Sequence, residues 1–206
     1  MVKITRVEPF QLSWGEASKG PRAAFVRIET DDGQFGLGEA SPMQGGLASL
    51  TIIKHDMAAD LVGQDPLDHA VIQERLFHKL VKLGPDGALA GALAAVDIAL
   101  WDLKGKLLGQ PVNRLLGGVW RDELTCYASV GGNAWRTVDE TVAAVEKRVT
   151  KENPAAVKIR WDGDRTKVDV DIVGDIAKAK AVRKLLGDDF VLGFDANNGY
   201  SVGGAM

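Results

Sequence analysis

The sequence predicts an α+β domain followed by an incomplete α/β barrel with about three parallel strands present. Two observations predict this. Three strand-like runs meander antiparallel at the start and then give way to helices, whereas after about residue 120 strands and helices alternate strictly. Near the end, Ala155–Trp161 (A-A-V-K-I-R-W) and Phe190–Asn198 (F-V-L-G-F-D-A-N-N) are short apolar runs whose C-terminal ends turn polar at alternate positions. That is the pattern of buried parallel strands with chemistry at their ends.

Each element has its own signal. Val2–Trp14 and Arg22–Glu29 are rich in Val, Ile and Phe, and Asp31-Asp32-Gly33 marks a hairpin turn into Gln34–Glu39. Between the first two strands, Gly15–Pro21 is a Gly/Ser/Pro loop, which reads either as a solvated connector or as a lid. Ser41-Pro42 and Gly45-Gly46 end the meander. Helical patterns follow over Leu47–Leu61 and Leu67–Val81, the second opened by Asp65 as N-cap and Pro66 at the first helical position. Leu89, Leu93, Val96, Leu100, Leu103 and Leu107 then form a continuous stripe. Ala88, Ala92, Ala95 and Ala99 make a row of small residues beside it that permits close helix packing, and Gly109 and Pro111 stop the helix. Leu124–Val130 reads as a fresh strand. Thr137 with Glu140 forms a capping box ahead of Val138, Val142, Val145 and Val149. Ile172, Ile176, Ala179, Val182 and Leu186 give the helix between the two polar-ended strands, closed by Gly187. The expected domains are therefore 1–120 and 121–206. The second falls far short of the about 250 residues of a complete barrel, so the chain is expected to be the front part of a longer protein.

Composition narrows the function. The formal net charge of −3 offers no electrostatic case for nucleic acid or an anionic membrane. The most apolar stretch, Ala88–Leu103, is too short to span a bilayer and carries Asp97 and Asp102. The single cysteine, Cys126, excludes a disulfide framework and suits the cytoplasm. It reads as a small buried hydrophobe at the start of a strand. His55, His69 and His78 lack ligand spacing and read as surface or packing residues, Asp97 as a hydrogen-bonded structural carboxylate, and Trp101 as core.

Period 2 puts Lys158 with Arg160, and Asp195 with Asn197, on one face of their strands. Asp195 can offer a hard oxygen to Mg²⁺, and Asn197 is a neighbouring amide. Two cations about 7 Å apart along a strand should repel and lower the Lys158 pKa toward that of a usable base. The same residues also suit a salt-bridge cluster at the mouth of a structural sheet.

The run A-A-V-D-I-A-L-W-D-L-K-G-K-L-L-G-Q-P-V-N-R-L-L-G-G (Ala94–Gly118) resembles the helix joining capping domain and barrel in the enolase superfamily, closest to the mandelate racemase and muconate lactonizing group. G-L-G-E-A (Gly36–Ala40), Y-A-S (Tyr127–Ser129) and G-F-D-A-N-N-G-Y-S (Gly193–Ser201) fit that group in the same order. The resemblance implies a capping domain on a modified barrel, Mg²⁺ at the strand ends, and removal of a proton next to a carboxylate to give an enediolate that the metal stabilises. By position it makes Asp195 the first metal ligand, sets Asn197 toward substrate, and places Lys158 and Arg160 on the family's Lys-x-Lys pair. Trp14–Gly20 falls on the mobile specificity loop, with Trp14 and Ser18 as substrate contacts. A small carboxylate substrate and a homo-oligomer are expected of the full-length protein. The remaining metal carboxylates and a His/Asp dyad are expected beyond Met206.

Arg160 departs from the family's lysine. A guanidinium stays protonated, so it is a poor proton acceptor but a good bidentate partner for a carboxylate. This weakens a two-base racemase and favours a one-base dehydration of an acid sugar. The alternatives are a racemase or cycloisomerase of the same superfamily, or a non-catalytic fragment or binding module that kept the fold.

Overall fold

The computed structural model describes residues 1–14, 22–40, 46–161, 163–164 and 166–206. The chain forms two compact units, Met1–Trp120 and Arg121–Met206.

In the first unit β1 (Ile4–Ser13), β2 (Arg22–Thr30) and β3 (Phe35–Glu39) form an antiparallel sheet in the order β1-β2-β3. Ala24, Val26 and Ile28 alternate into the core. The β2–β3 turn is closed by Asp32, whose carboxylate accepts from the Thr30 hydroxyl and the Gln34 N–H, with Gly33 at φ 83°. The proposed lid at Gly15–Pro21 lies outside the described residues.

The helices are α1 (Leu47–Ile52), α2 (Ala58–Leu61), α3 (His69–Leu80), α4 (Ala88–Leu108) and the short α5 (Val112–Leu115). Two differ in detail from the sequence expectation. A π-helical stretch, Ile53–Met57, interrupts Leu47–Leu61 while burying both its end residues. Asp65 caps the Leu67 N–H as expected, but Pro66–Asp68 is a 3-10 turn that precedes α3. The apolar stripe of α4 is buried at Leu89, Val96, Leu100 and Leu103 and partly buried at Leu93 and Leu107, and Gly109 ends the helix in the left-handed conformation.

Ala95 and Ala99 of the α4 alanine row meet strand β3, whereas the Ala88 carbonyl accepts from the Ser49 hydroxyl of α1 at 2.8 Å. A Cβ on Gly36 would run into the Ala99 carbonyl, and one on Gly38 into the Ala95 carbonyl, so two glycines and a row of alanines let the backbones touch. Asp102 then accepts from the Leu37 N–H at 2.9 Å and Lys106 donates to the Phe35 carbonyl at 2.7 Å, occupying polar groups of the edge strand. His69 is buried, with Nε2 2.6 Å from Asp97 Oδ1 and its ring tilted against half-buried Trp101, the centroids 4.6 Å apart. Asp97, whose own side chain is 40% exposed, is thus hydrogen-bonded to a buried ring.

In the second unit β4 (Tyr127–Val130), β5 (Ala156–Arg160) and β6 (Val191–Asp195) form a parallel sheet in the order β4-β5-β6. Helices α6 (Val138–Glu152) and α7 (Ile172–Leu186) cover one face, burying Val145 and Val182 against Ala128, Val130, Val157 and Ile159. The Thr137–Glu140 capping box is formed. The α7 stripe is only partly inward, since Ile176 is half-exposed. A one-turn helix, α8 (Val202–Ala205), follows Ser201. Strand β4 is shorter than the expected Leu124–Val130, because α6 runs to Glu152 with Asn153 as its left-handed cap, so the neighbouring segment reaches the sheet only at Ala155, whose N–H donates to the Cys126 carbonyl at 3.3 Å. Cys126 therefore precedes the strand and is exposed, not buried.

The β3–α4 contact yields a stability test. Gly38→Ala is expected to cost about 1–3 kcal/mol, as overpacked interior sites do, read as a lower urea midpoint. An unchanged midpoint would mean that the two backbones are not in contact.

Candidate functional site at the strand ends

Parallel pairing decides which side chains meet. Lys158 lies in register between Ser129 and Gly193, and Arg160 lies opposite Asp195. Because side chains alternate, Tyr127, Ser129, Lys158, Arg160, Gly193 and Asp195 share the face turned away from α6 and α7. Gly193 has no side chain beside Lys158, so the lysine can lean across β6. Its Nζ stands 3.1 Å from Asp195 Oδ2 and 5.3 Å from the centre of the Tyr127 ring.

Two connections lace the strand ends together. Fully buried Asn133 donates from Nδ2 to the carbonyls of Val130 and Arg160, at 2.6 and 2.9 Å, joining β4 to β5. The Trp161 N–H donates to the Asp195 carbonyl at 3.1 Å, joining β5 to β6. Beyond Asp195 the chain turns sharply. The Asn197 N–H donates to Asp195 Oδ1 at 3.1 Å, and Asn197 and Asn198 both adopt left-handed conformations, which asparagine tolerates better than most residues.

The electrostatics correct one expectation. Lys158 is not depressed toward a usable base; its pKa is raised, first by the hydrogen bond to Asp195 and then by Tyr127. An opposite charge at hydrogen-bond distance outweighs a like charge further along the strand. The same bond holds the Asp195 carboxyl below the usual carboxylate range, helped by the Asn197 N–H and by the charges of Lys158 and Arg160.

Asp195 Oδ1 accepts from the Asn197 N–H and Oδ2 faces Lys158 Nζ among the described residues, and an ionised carboxylate oxygen can accept more than one contact, so the group fits a divalent cation as one hard oxygen donor. Among the described residues no three His, Cys, Asp or Glu side chains converge on a metal position. These residues would therefore supply one carboxylate of a larger donor set. A cleft of about 210 Å³ opens at the same ends of the strands, walled by Trp135, Trp161, Asp164, Lys167, Asn197 and Tyr200. Lys158, Arg160, Asp195 and Asn197 are thus gathered in the second unit. Trp14 lies just beyond β1 in the first unit and is exposed, and Ser18 lies outside the described residues.

Sequence reasoning passed over Tyr127 and Asn133. Tyr127 was detectable, since period 2 puts it on the face of Ser129. Asn133 was not, because its two partners sit on different strands.

An antiparallel α+β unit followed by a parallel β/α unit with cations and a carboxylate at its strand ends fits the enolase superfamily. The chain belongs to the mandelate racemase / muconate lactonizing enzyme family, whose N-terminal domain matches residues 1–117. A mandelate racemase/muconate lactonizing protein from Paracoccus denitrificans, crystallised with magnesium, is 63% identical with a TM-score of 0.94, over 100% of this chain and 54% of that one. A D-galactarolactone cycloisomerase from Agrobacterium fabrum is 35% identical over 182 residues, 86% of this chain and 45% of that protein. A D-galactonate dehydratase from Pectobacterium atrosepticum is 37% identical over 147 residues, 71% of this chain and 35% of that protein. The chain spans about half the length of these relatives or less.

The turn after Asp195 can be tested by its backbone. Asn198, at φ 63°, should accept glycine with little change, whereas Asn198→Val should cost about 1–2 kcal/mol for a left-handed branched residue. Equal stability of the two variants in chemical denaturation would show that the turn is not left-handed.

Proposed function

We propose that this chain contributes the first metal carboxylate and the strand-borne cations of a Mg²⁺-dependent lyase that removes the proton next to the carboxylate of an acid sugar and dehydrates it. The observation that carries the reading is the Lys158–Asp195 contact of 3.1 Å, with Arg160 in register beside Asp195 on the same sheet face. Asp195 would hold the cation, which supplies positive charge for the carboxylate end of the substrate. Arg160 would clamp that carboxylate through paired N–H donors. Lys158, held protonated, would stabilise the negative charge that develops as the α-proton leaves, and Asn197 would hydrogen-bond substrate at the mouth of the cleft. Neither cation is then the proton acceptor, a role proposed for the family's histidine outside residues 1–206. Trp14 and Ser18 are proposed as substrate contacts from the cap. The protein is proposed to work as a homo-oligomer in the cytoplasm. Among the described residues no helix is long and apolar enough to cross a membrane, and an exposed lone thiol fits a reducing compartment. The Agrobacterium fabrum relative supports a second reading, cycloisomerisation, which uses the same proton removal but keeps the oxygen.

The test is turnover of D-galactonate, D-galactarolactone and related acid sugars by the full-length protein with Mg²⁺. Keto-acid product lighter than the substrate by one water would mark a dehydratase, and product of unchanged mass the second reading. Arg160→Lys is expected to raise KM about tenfold for loss of a bidentate contact. Lys158→Met is expected to lower kcat about a hundredfold, as loss of a charge-stabilising donor does, while deuterium exchange at the substrate α-carbon persists. Turnover without a divalent cation, or loss of exchange in Lys158→Met, would overturn the assignment of roles.

A further inference from the structure

One buried polar cluster lies outside this set of roles. Asp175 and Lys178, one turn apart on α7, have side chains 13% and 6% exposed, with Lys178 Nζ 3.4 Å from Asp175 Oδ1. The other oxygen, Oδ2, accepts from the Tyr200 hydroxyl at 2.6 Å. Burial, then the bond to Asp175, pushes the Tyr200 phenol up, so it remains a donor throughout the working pH range. Lys178 Nζ also stands 5.3 Å from the centre of the Trp161 ring. Trp161 packs edge-on against Phe194 at 4.9 Å, and Phe194 stacks with Tyr200 at 6.1 Å. The cluster therefore touches both strand ends of the site, through Trp161 after β5 and through Tyr200 after β6.

Such a cluster is a poor way to gain stability. Desolvating two charges offsets most of their attraction, and apolar residues of like volume usually do as well. What it does provide is position. The segment from Asp195 to Tyr200 holds two left-handed asparagines and a tight turn closed by the Gly199 N–H on the Ala196 carbonyl at 2.8 Å. Its far end is pinned on two sides. The Gly199 carbonyl and the Ser201 N–H bind Asp169, and the Tyr200 hydroxyl binds Asp175. With the start fixed by Trp161 and the end by α7, the backbone between them has little freedom, and it carries the N–H that orients the Asp195 carboxylate.

We propose that Asp175 and Tyr200 are positioning residues, a brace from α7 that holds the Asp195–Asn197 turn in the geometry a divalent cation requires, with Lys178 holding Asp175 Oδ1. The inference rests on the reading of Asp195 as a metal ligand. Outer partners of metal ligands act in this way, by restricting how the ligand is presented.

The test measures Mg²⁺ binding to the full-length protein by calorimetry, beside kcat and KM for substrate and the thermal midpoint. Tyr200→Phe keeps the ring against Phe194 and removes only the hydroxyl. It is expected to weaken Mg²⁺ binding about tenfold, the lower end for outer partners of metal ligands. The thermal midpoint should stay close to wild type, and kcat should recover at saturating Mg²⁺. Asp175→Asn leaves Lys178 buried without its counter-charge and can fail to fold. The double variant D175N/K178M removes both charges and should show the same loss of Mg²⁺ affinity in a folded protein. Asp195→Asn is the reference. If it abolishes Mg²⁺ binding while Tyr200→Phe and the double variant bind as wild type, the brace is wrong and the ligand assignment stands. If Asp195→Asn itself leaves Mg²⁺ affinity unchanged, the ligand assignment is wrong and the brace falls with it.

Discussion

The site depends on a single register, that of β5 against β6. Pairing Arg160 with Asp195 brings Lys158 beside side-chain-free Gly193 and within 3.1 Å of the Asp195 carboxylate. A slip of one residue would turn every member of one strand to the opposite face, burying its charges under α6 and α7. That outcome is excluded by Val157 and Ile159, which are almost fully buried on the helix-covered face. The apolar half of the strand thus decides where the polar half points. Hydrophobic burial at about 25 cal/mol per Å² selects the register, and the electrostatics follow from it.

The remainder of the second unit keeps that register aligned at its working end. Asn133 and Trp161 tie three strand ends together with hydrogen bonds that belong to no ladder. The two arise differently. Asn133 spends a side-chain amide fully inside the protein, where its bonds are strong because water is absent. Trp161 uses only its backbone N–H, so its ring remains available to pack against Phe194 and Lys178. In the first unit the constraint is one of volume, with glycine on β3 against alanine on α4 and acceptor and donor side chains from α4 occupying the edge of the sheet.

What could be read from the sequence was whatever repeats at short range. Alternation in β5 and β6, the stripe of α4, the Asp65 cap and the Thr137–Glu140 box are all local patterns, and all are present. Lys158 and Arg160 were correctly set on one face, yet the lysine's electrostatics came out with the wrong sign. Spacing along one strand shows the repelling neighbour, whereas the attracting one arrives only through pairing with β6. The same limit hid Asn133 and the Tyr200–Asp175 bond, whose partners are brought together by folding. Cys126 was misjudged because the end of α6 at Glu152, not its own surroundings in sequence, sets where β4 finds a neighbour.

That misjudged residue has a practical consequence. The chain's one cysteine is exposed at the N-terminal end of β4, whereas Asp195 ends β6 at the opposite edge of the sheet. At about 3.3 Å per residue along the strands and about 4.8 Å for each of the two strand spacings across, their backbones lie about 19 Å apart. A maleimide fluorophore or nitroxide would therefore attach at one defined point without mutagenesis and without entering the strand-end cleft. From that distance a spin label would sense a paramagnetic ion such as Mn²⁺ at Asp195 through relaxation broadening, giving a ruler already built into the natural sequence.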